Sequence, residues 1–184
     1  MKNRLGQLLI AHPNLSKSNP FYKTVIYIYE HNELAVMGTV LNRNTNCTIQ
    51  SLFDAKGHCY SNSSPTLHAG GPVNQAALVM LHSDEWSSTN TAAAGPGIRI
   101  TSDNLMFEKM AMGDEPVNWR MFNGLCSWTY GQLDMELSGK FPYRPENSWL
   151  TATANDDIMF ECDGEELWEQ ALELSKTQMI NEFF

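Results

Sequence analysis

The chain has 184 residues, a net charge of −9, a pI near 4.9 and 42% apolar residues. That is enough chain for one hydrophobic core, and too acidic for a broad phosphate-binding surface, because nonspecific nucleic-acid affinity needs clustered Lys and Arg. No apolar run approaches the roughly 18–20 residues that span a bilayer, and no signal-peptide h-region follows Lys2 and Arg4. A cytoplasmic protein with a single domain over residues 1–184 is expected. Its four cysteines, Cys47, Cys59, Cys126 and Cys162, are then reduced and by default buried.

Leu8 to Ala11 reads as a short buried strand, ended by His12-Pro13. Asn14 to Pro20 is a polar loop. Thr24 to Tyr29, rich in β-branched and aromatic residues, predicts a second strand. A turn at Asn32-Glu33 and a strand from Ala35 to Leu41 complete an antiparallel hairpin. Gly38 inside the third strand permits a bulge or a close backbone approach. Thr48 is placed to cap a helix carrying Ile49, Leu52 and Phe53 on one face, stopped by Gly57. Cys59 to Ser64 is polar and is expected to be a mobile connection.

Strands are predicted at Thr66–Ala69 and Ala77–His82, flanking a turn at Gly70-Gly71-Pro72. Ser83 to Gly97 reads as a long loop. Ile98-Arg99-Ile100 alternates like a strand. Thr101 or Ser102 then caps a helix with Leu105, Met106 and Met110, ending at Gly113. Further strands are predicted at Met121–Cys126, Trp149–Thr153 and Ile158–Phe160, with a short helix over Gly131–Leu137. Asp163 and Glu166 have capping-box spacing ahead of a last helix whose apolar stripe is Leu167, Trp168, Ala171, Leu172 and Leu174. Strands interspersed with short helices, without regular βαβ alternation, indicate an α+β fold: a mostly antiparallel sheet with helices packed on it.

The candidate site residues lie where polar side chains or turn glycines adjoin apolar runs. Glu30-His31 ends one strand, and Asn42-Arg43 ends the next. The hairpin is expected to bring all four to one edge, where Arg43 pairs Glu30 or grips an anion. Gly70 and Gly71 have neither P-loop nor dinucleotide spacing, so they read as tight-turn glycines, although exposed N–H groups at such a turn can hold a small anion. Gln132 and Glu136 are i and i+4 on one helix face, with Trp128 nearby. Cys126, in Gly124-Leu125-Cys126-Ser127-Trp128, is not in a Gly-x-Ser-x-Gly elbow, and a reactive thiol there needs a pKa-lowering neighbour. His58, Cys59, His68 and His82 match no zinc spacing. No metal and no cofactor is expected.

Taken in order, Leu8-Leu9-Ile10-Ala11 with Pro13, Glu30-His31-Asn32, Gly38 with Leu41-Asn42-Arg43, Gly70-Gly71-Pro72-Val73, Val79 to Ser83, Gly124, Trp128, Gly131-Gln132-Leu133, Glu136-Leu137, Trp149-Leu150 and Leu167-Trp168 resemble the YqgE/AlgH family of bacterial proteins. The resemblance implies a curved, partly barrel-like sheet with short helices. It also brings the family's label of transcriptional regulator, which the acidic balance and the lack of a visible helix-turn-helix do not favour as direct DNA binding. The family pattern commonly has glycine where this chain has Ser127, and proline where it has Asn44.

Three functions follow as expectations. The first is a non-enzymatic binding or regulatory module that takes an unknown small molecule or protein partner at a cleft near Glu30, His31, Asn42, Arg43, Gly70, Gly71, Trp128, Gln132 and Glu136. The second is an enzyme using Cys126 or His31. The third is a direct DNA-binding regulator, disfavoured by charge. Monomer and dimer are both compatible with the sequence.

Overall fold

The computed structural model describes residues 3–62, 65–143 and 149–182. Ten strands and four α-helices follow in the order β1 (Gln7–Ala11), β2 (Val25–His31), β3 (Ala35–Val40), β4 (Asn44–Thr48), α1 (Ile49–Ala55), β5 (Thr66–Ala69), β6 (Val73–Ser83), β7 (Ala92–Gly95), β8 (Ile98–Thr101), α2 (Asn104–Ala111), β9 (Trp119–Thr129), α3 (Gln132–Ser138), β10 (Trp149–Thr153) and α4 (Gly164–Glu182). The strands form one curled sheet in the order β10-β1-β2-β3-β9-β6-β8-β7, with β5 pairing both β4 and β9. Every pairing is antiparallel except β5 with β9. The fold is α+β, a half-barrel with short helices on it.

The alternation of side chains along a strand feeds separate cores. In β2, Val25, Tyr27 and Tyr29 enter one apolar cluster, while Ile26 and Ile28 enter another. In β1, Leu8 and Ile10 join the first and Leu9 the second. Both faces are covered, which is why these segments read as unbroken apolar runs. Helix α4 closes the first cluster with Leu167, Trp168, Ala171 and Leu172. Helix α3 contributes Leu133 to the second. A third cluster joins Ile49 and Phe53 of α1 to Met106, Phe107 and Met110 of α2.

The long strand β9 organises the centre. Its first half lies between β5 and β6, and its second half pairs with β3. The connection from β5 to β6 must therefore cross β9. It crosses at Gly70-Gly71, which corrects the expected tight turn. A Cβ on Gly70 would lie 2.4 Å from the Gly124 carbonyl oxygen, and one on Gly71 would lie 2.3 Å from that of Leu125. Gly124, at φ +71, would meet the Gly71 oxygen at 2.5 Å. Backbone lies on backbone here, and only glycine leaves the space. Gly38 is a second close approach, with the Tyr27 oxygen 2.7 Å from its would-be Cβ; the neighbouring bulge falls in β2, between Ile28 and Glu30.

Several expectations are corrected. Asn44–Thr48 is a strand, unseen because polar Asn and Thr alternate on an exposed edge. Tyr60 is buried among Phe53 and Trp119, so the predicted mobile segment is anchored there; Ser63 and Ser64 lie outside the described residues. The loop from Ser83 contains β7, and Trp86 is buried with its indole donating to Asp114. Asp103, not Thr101 or Ser102, caps α2, accepting from Met106 N at 2.8 Å. Residues 157–161 form a π-helical turn instead of a strand.

Asp163 does not close a capping box. One carboxylate oxygen accepts from Gly164 N at 2.7 Å. The other accepts from Asn44 Nδ2 at 2.7 Å and faces His68 Nε2 at 3.4 Å. This ties the start of α4 to β4 and β5. Burial works to raise the Asp163 carboxyl, but the bonds from His68, Asn44 and Gly164 outweigh it and hold it well below the usual range.

Two outcomes are expected. Gly57, also at positive φ but with open space around it, should tolerate alanine at about 1–2 kcal/mol. Gly124→Ala should cost about 1–3 kcal/mol more from the clash alone; equal shifts in urea midpoint would show that the crossing is not tight. The depressed Asp163 carboxyl stabilises the fold above its unfolded pKa, and that contribution is lost as pH falls below about 4. Asp163→Asn should therefore be less stable than wild type at pH 6 and show a shallower loss of urea midpoint between pH 5 and pH 2.

Candidate functional site

Trp128 is near the end of β9, opposite Val36 of β3. Its ring is buried with Ile26, Ile28 and Leu133. The chain then turns through Gly131, whose φ of +79 allows α3 to start directly. Gln132 Oε1 accepts from Thr129 N at 3.1 Å and from its hydroxyl at 3.3 Å, so the side chain closes the turn. One helical turn on, Glu136 receives Gln132 Nε2 on Oε1 at 3.1 Å. Glu136 Oε2 receives two indoles, Trp128 Nε1 at 3.0 Å and Trp149 Nε1 at 3.1 Å. A single carboxylate thus pins β9, α3 and β10 together.

This clamp borders a cavity of about 310 Å³. Phe21, Trp128, Tyr143 and Trp149 supply aromatic surface, and Pro72, Val73, Cys126 and Ser127 complete much of the lining. Phe21 meets Trp149 edge-to-face with centroids 5.5 Å apart. A second hollow of about 240 Å³ shares Phe21 and Pro72 with the first and is lined by Arg43, Gly71 and Gln75.

The nine sequence candidates divide accordingly. Trp128, Gln132 and Glu136 are together in the first cavity, and Arg43 and Gly71 border the second. Gly70 is buried at the crossing, its N–H donating to the Asn123 carbonyl at 2.7 Å, so that amide is not offered to an anion. Glu30 and His31 are not at the edge that holds Asn42 and Arg43. The antiparallel register pairs His31 with Val36 and Ile26 with Val40, which puts the two pairs at opposite ends of the hairpin, separated by about 3.3 Å per residue. Glu30 instead accepts from Asn32 Nδ2, and His31 Nδ1 accepts from Arg4 N at 2.9 Å. Arg43 donates to the Tyr22 carbonyl, not to Glu30.

Asn42 is buried and structural: its Oδ1 accepts from Val25 N, and its Nδ2 donates to the Lys23 and Gly164 carbonyls. Sequence reasoning missed Phe21, Tyr143 and Trp149. Of these, Trp149 had a legible signal, since an indole opening a half-buried strand needs an acceptor for its N–H.

Cys126 is buried, its Sγ 3.7 Å from the Gly70 carbonyl oxygen. Burial pushes its thiol up to about 12, the opposite of what a nucleophile requires. Cys59, by contrast, is exposed, against the expectation of a buried thiol. Among the described residues no group of three or more His, Cys, Asp or Glu converges on a point. No helix among them is long and apolar enough to cross a membrane.

The curled α+β sheet with its glycine crossing and short helices defines a half-barrel class of protein. Within it, this chain belongs to the AlgH-like family, whose profile matches residues 8–180. It is 31% identical over 172 residues to a UPF0301 protein of Thioalkalivibrio sulfidiphilus, covering 92% of this chain and 88% of that one. It is 33% identical over 170 residues to a UPF0301 protein of Xanthomonas campestris pv. campestris, covering 90% and 86%. The solution structure of AlgH from Pseudomonas aeruginosa superposes with a TM-score of 0.75 at 28% identity, covering 95% of this chain and 92% of that one. A Corynebacterium diphtheriae crystal structure shares the fold, with a TM-score of 0.69 at 22% identity over 92% and 86% of the chains.

Native-state alkylation at pH 8 should modify Cys59 rapidly and leave Cys126 untouched until the protein is unfolded. Peptide mapping by mass spectrometry reads both, and rapid labelling of Cys126 would reopen thiol chemistry.

Proposed function

We propose that this chain is a cytoplasmic, non-enzymatic binding module that takes a small organic molecule into the aromatic cavity beside Glu136 and acts in regulation through that ligand. The observation that carries the reading is the clamp itself. Glu136 binds two indoles and an amide at the wall of a cavity of about 310 Å³, within the range of small-ligand sites. The wall is therefore held in one arrangement before any ligand arrives, which lowers the ordering cost of binding.

The raised Cys126 thiol and the commitment of His31 Nδ1 to the Arg4 amide weigh against an enzyme built on either residue. The net charge of −9 weighs against direct DNA binding. A regulatory role through a ligand needs neither.

The test is a thermal-shift and tryptophan-fluorescence screen of the full chain against small organic molecules of varied charge. A true ligand at a hundredfold excess over Kd should stabilise the protein by about 2.7 kcal/mol and perturb emission. Ser127 is exposed and lines the cavity, so Ser127→Phe should fill the space, keep the fold and abolish the shift. A hit that survives Ser127→Phe, or a folded protein that no compound stabilises, overturns the proposal.

A further inference from the structure

Among the described residues, the cavity has a charge but no counter-charge. Among the described residues that line it, Glu136 is the acid, and no Lys, Arg or His is present. The groups that hold Glu136 are neutral: two indole N–H groups and one carboxamide. On the same helix, Asp134 holds Arg4 at 2.9 Å.

The carboxylate also has capacity left. An ionised carboxylate offers about four lone-pair positions. Among the described residues, Oε2 serves both indoles and Oε1 serves Gln132. One acceptor position on Oε1 is therefore taken by none of them. The same cavity is lined by the rings of Phe21, Trp128, Tyr143 and Trp149. Aromatic faces attract cations through their quadrupole, and tryptophan does so most strongly. A half-buried carboxylate repels anions, and a neutral donor gains one hydrogen bond from it where a cation gains the charge attraction as well.

We infer that the cavity selects an organic cation: a small amine, guanidine or quaternary ammonium compound whose charged end lies at Glu136 and whose apolar part lies against the rings. This rests on the reading of the cavity as a ligand site and names the ligand's class. The charged head replaces its hydration with the carboxylate and the ring faces, and the apolar body removes ring surface from water. Size follows from the same volume, which suits a single ring with a short side chain.

The test uses a matched series on the full chain: benzylammonium, benzyltrimethylammonium, benzyl alcohol and benzoate, titrated by tryptophan fluorescence and by NMR. At least one of the two cations should bind tenfold or more tightly than benzyl alcohol, and benzoate should not bind. Glu136→Gln should abolish the preference between cation and alcohol. Because that variant alters the clamp, a second one leaves it intact. Val73 lines the cavity and is exposed, and Val73→Lys should cost the cations tenfold or more and admit benzoate.

If benzyl alcohol or benzoate binds as well as the cations, and Ser127→Phe blocks it, the cavity is a ligand site but the cation inference fails. If none of the four binds while other compounds do so at the cavity, the inference again fails alone. If no compound of any class binds, both readings fall together.

Discussion

The contact on which the rest of the structure depends is the crossing of two backbones at Gly70-Gly71 and Gly124. Where a connection crosses a strand of its own sheet backbone on backbone, no room is left for side chains between the two. Here the would-be Cβ positions of Gly70, Gly71 and Gly124 all fall within 2.5 Å of opposing backbone or side-chain atoms. The crossing lets β9 take β5 and β6 as neighbours in its first half and β3 in its second. It also delivers Pro72 and Val73 to the same side of the sheet edge as Cys126, Ser127 and Trp128. The glycine crossing and the cavity beside it are thus one feature, and the cavity is a consequence of how the sheet is threaded.

The Glu136 clamp does for the other wall what the crossing does for the rim. Strand β10 pairs with β1, far along the sheet order from β9. Curling brings the two within reach, and both tryptophans donate to one carboxylate oxygen. Hydrogen bonds to a charged acceptor are stronger than neutral ones, and removing the carboxylate would leave two indole N–H groups to find other partners. The clamp therefore holds the curl as well as the cavity wall. It is also why a polar residue on a seven-residue helix sits among aromatic rings without a cationic partner among the described residues.

Legibility in the sequence followed the range of the forces involved. Local signals were read correctly: the Thr48 cap with its bond from Ser51 N, the buried runs of β1 and β2, the α3 helix between Gly131 and Gly139, and the shared face of Gln132 and Glu136. What failed was long-range or compensated. Asn44–Thr48 is polar and gains strand structure only from β5. Residues 157–161 have strand composition, but Asn155 turns them by accepting from Ile158 N and Met159 N through its side chain and carbonyl. Glu30 and His31 were assigned to the wrong end of a hairpin whose existence was itself read correctly. The glycine pair was recognised as special, yet its partner, Gly124, lies more than fifty residues away in sequence, and nothing local links them.

Ser127 shows how far the family pattern constrains function. A glycine commonly stands there in the family the sequence resembles, and a floor that needed glycine for close approach would not admit serine. The structure separates the two roles. The glycine demanded by sterics is Gly124, three residues earlier, where the Gly71 oxygen leaves no room. Ser127 lies on the exposed face of β9, paired with Met37, and its side chain lines the cavity. Serine at this position therefore leaves the threading of the sheet alone and puts a hydroxyl on the cavity wall. Backbone glycines in this fold fix the architecture, while Ser127, three residues after Gly124 in β9, shapes the cavity wall.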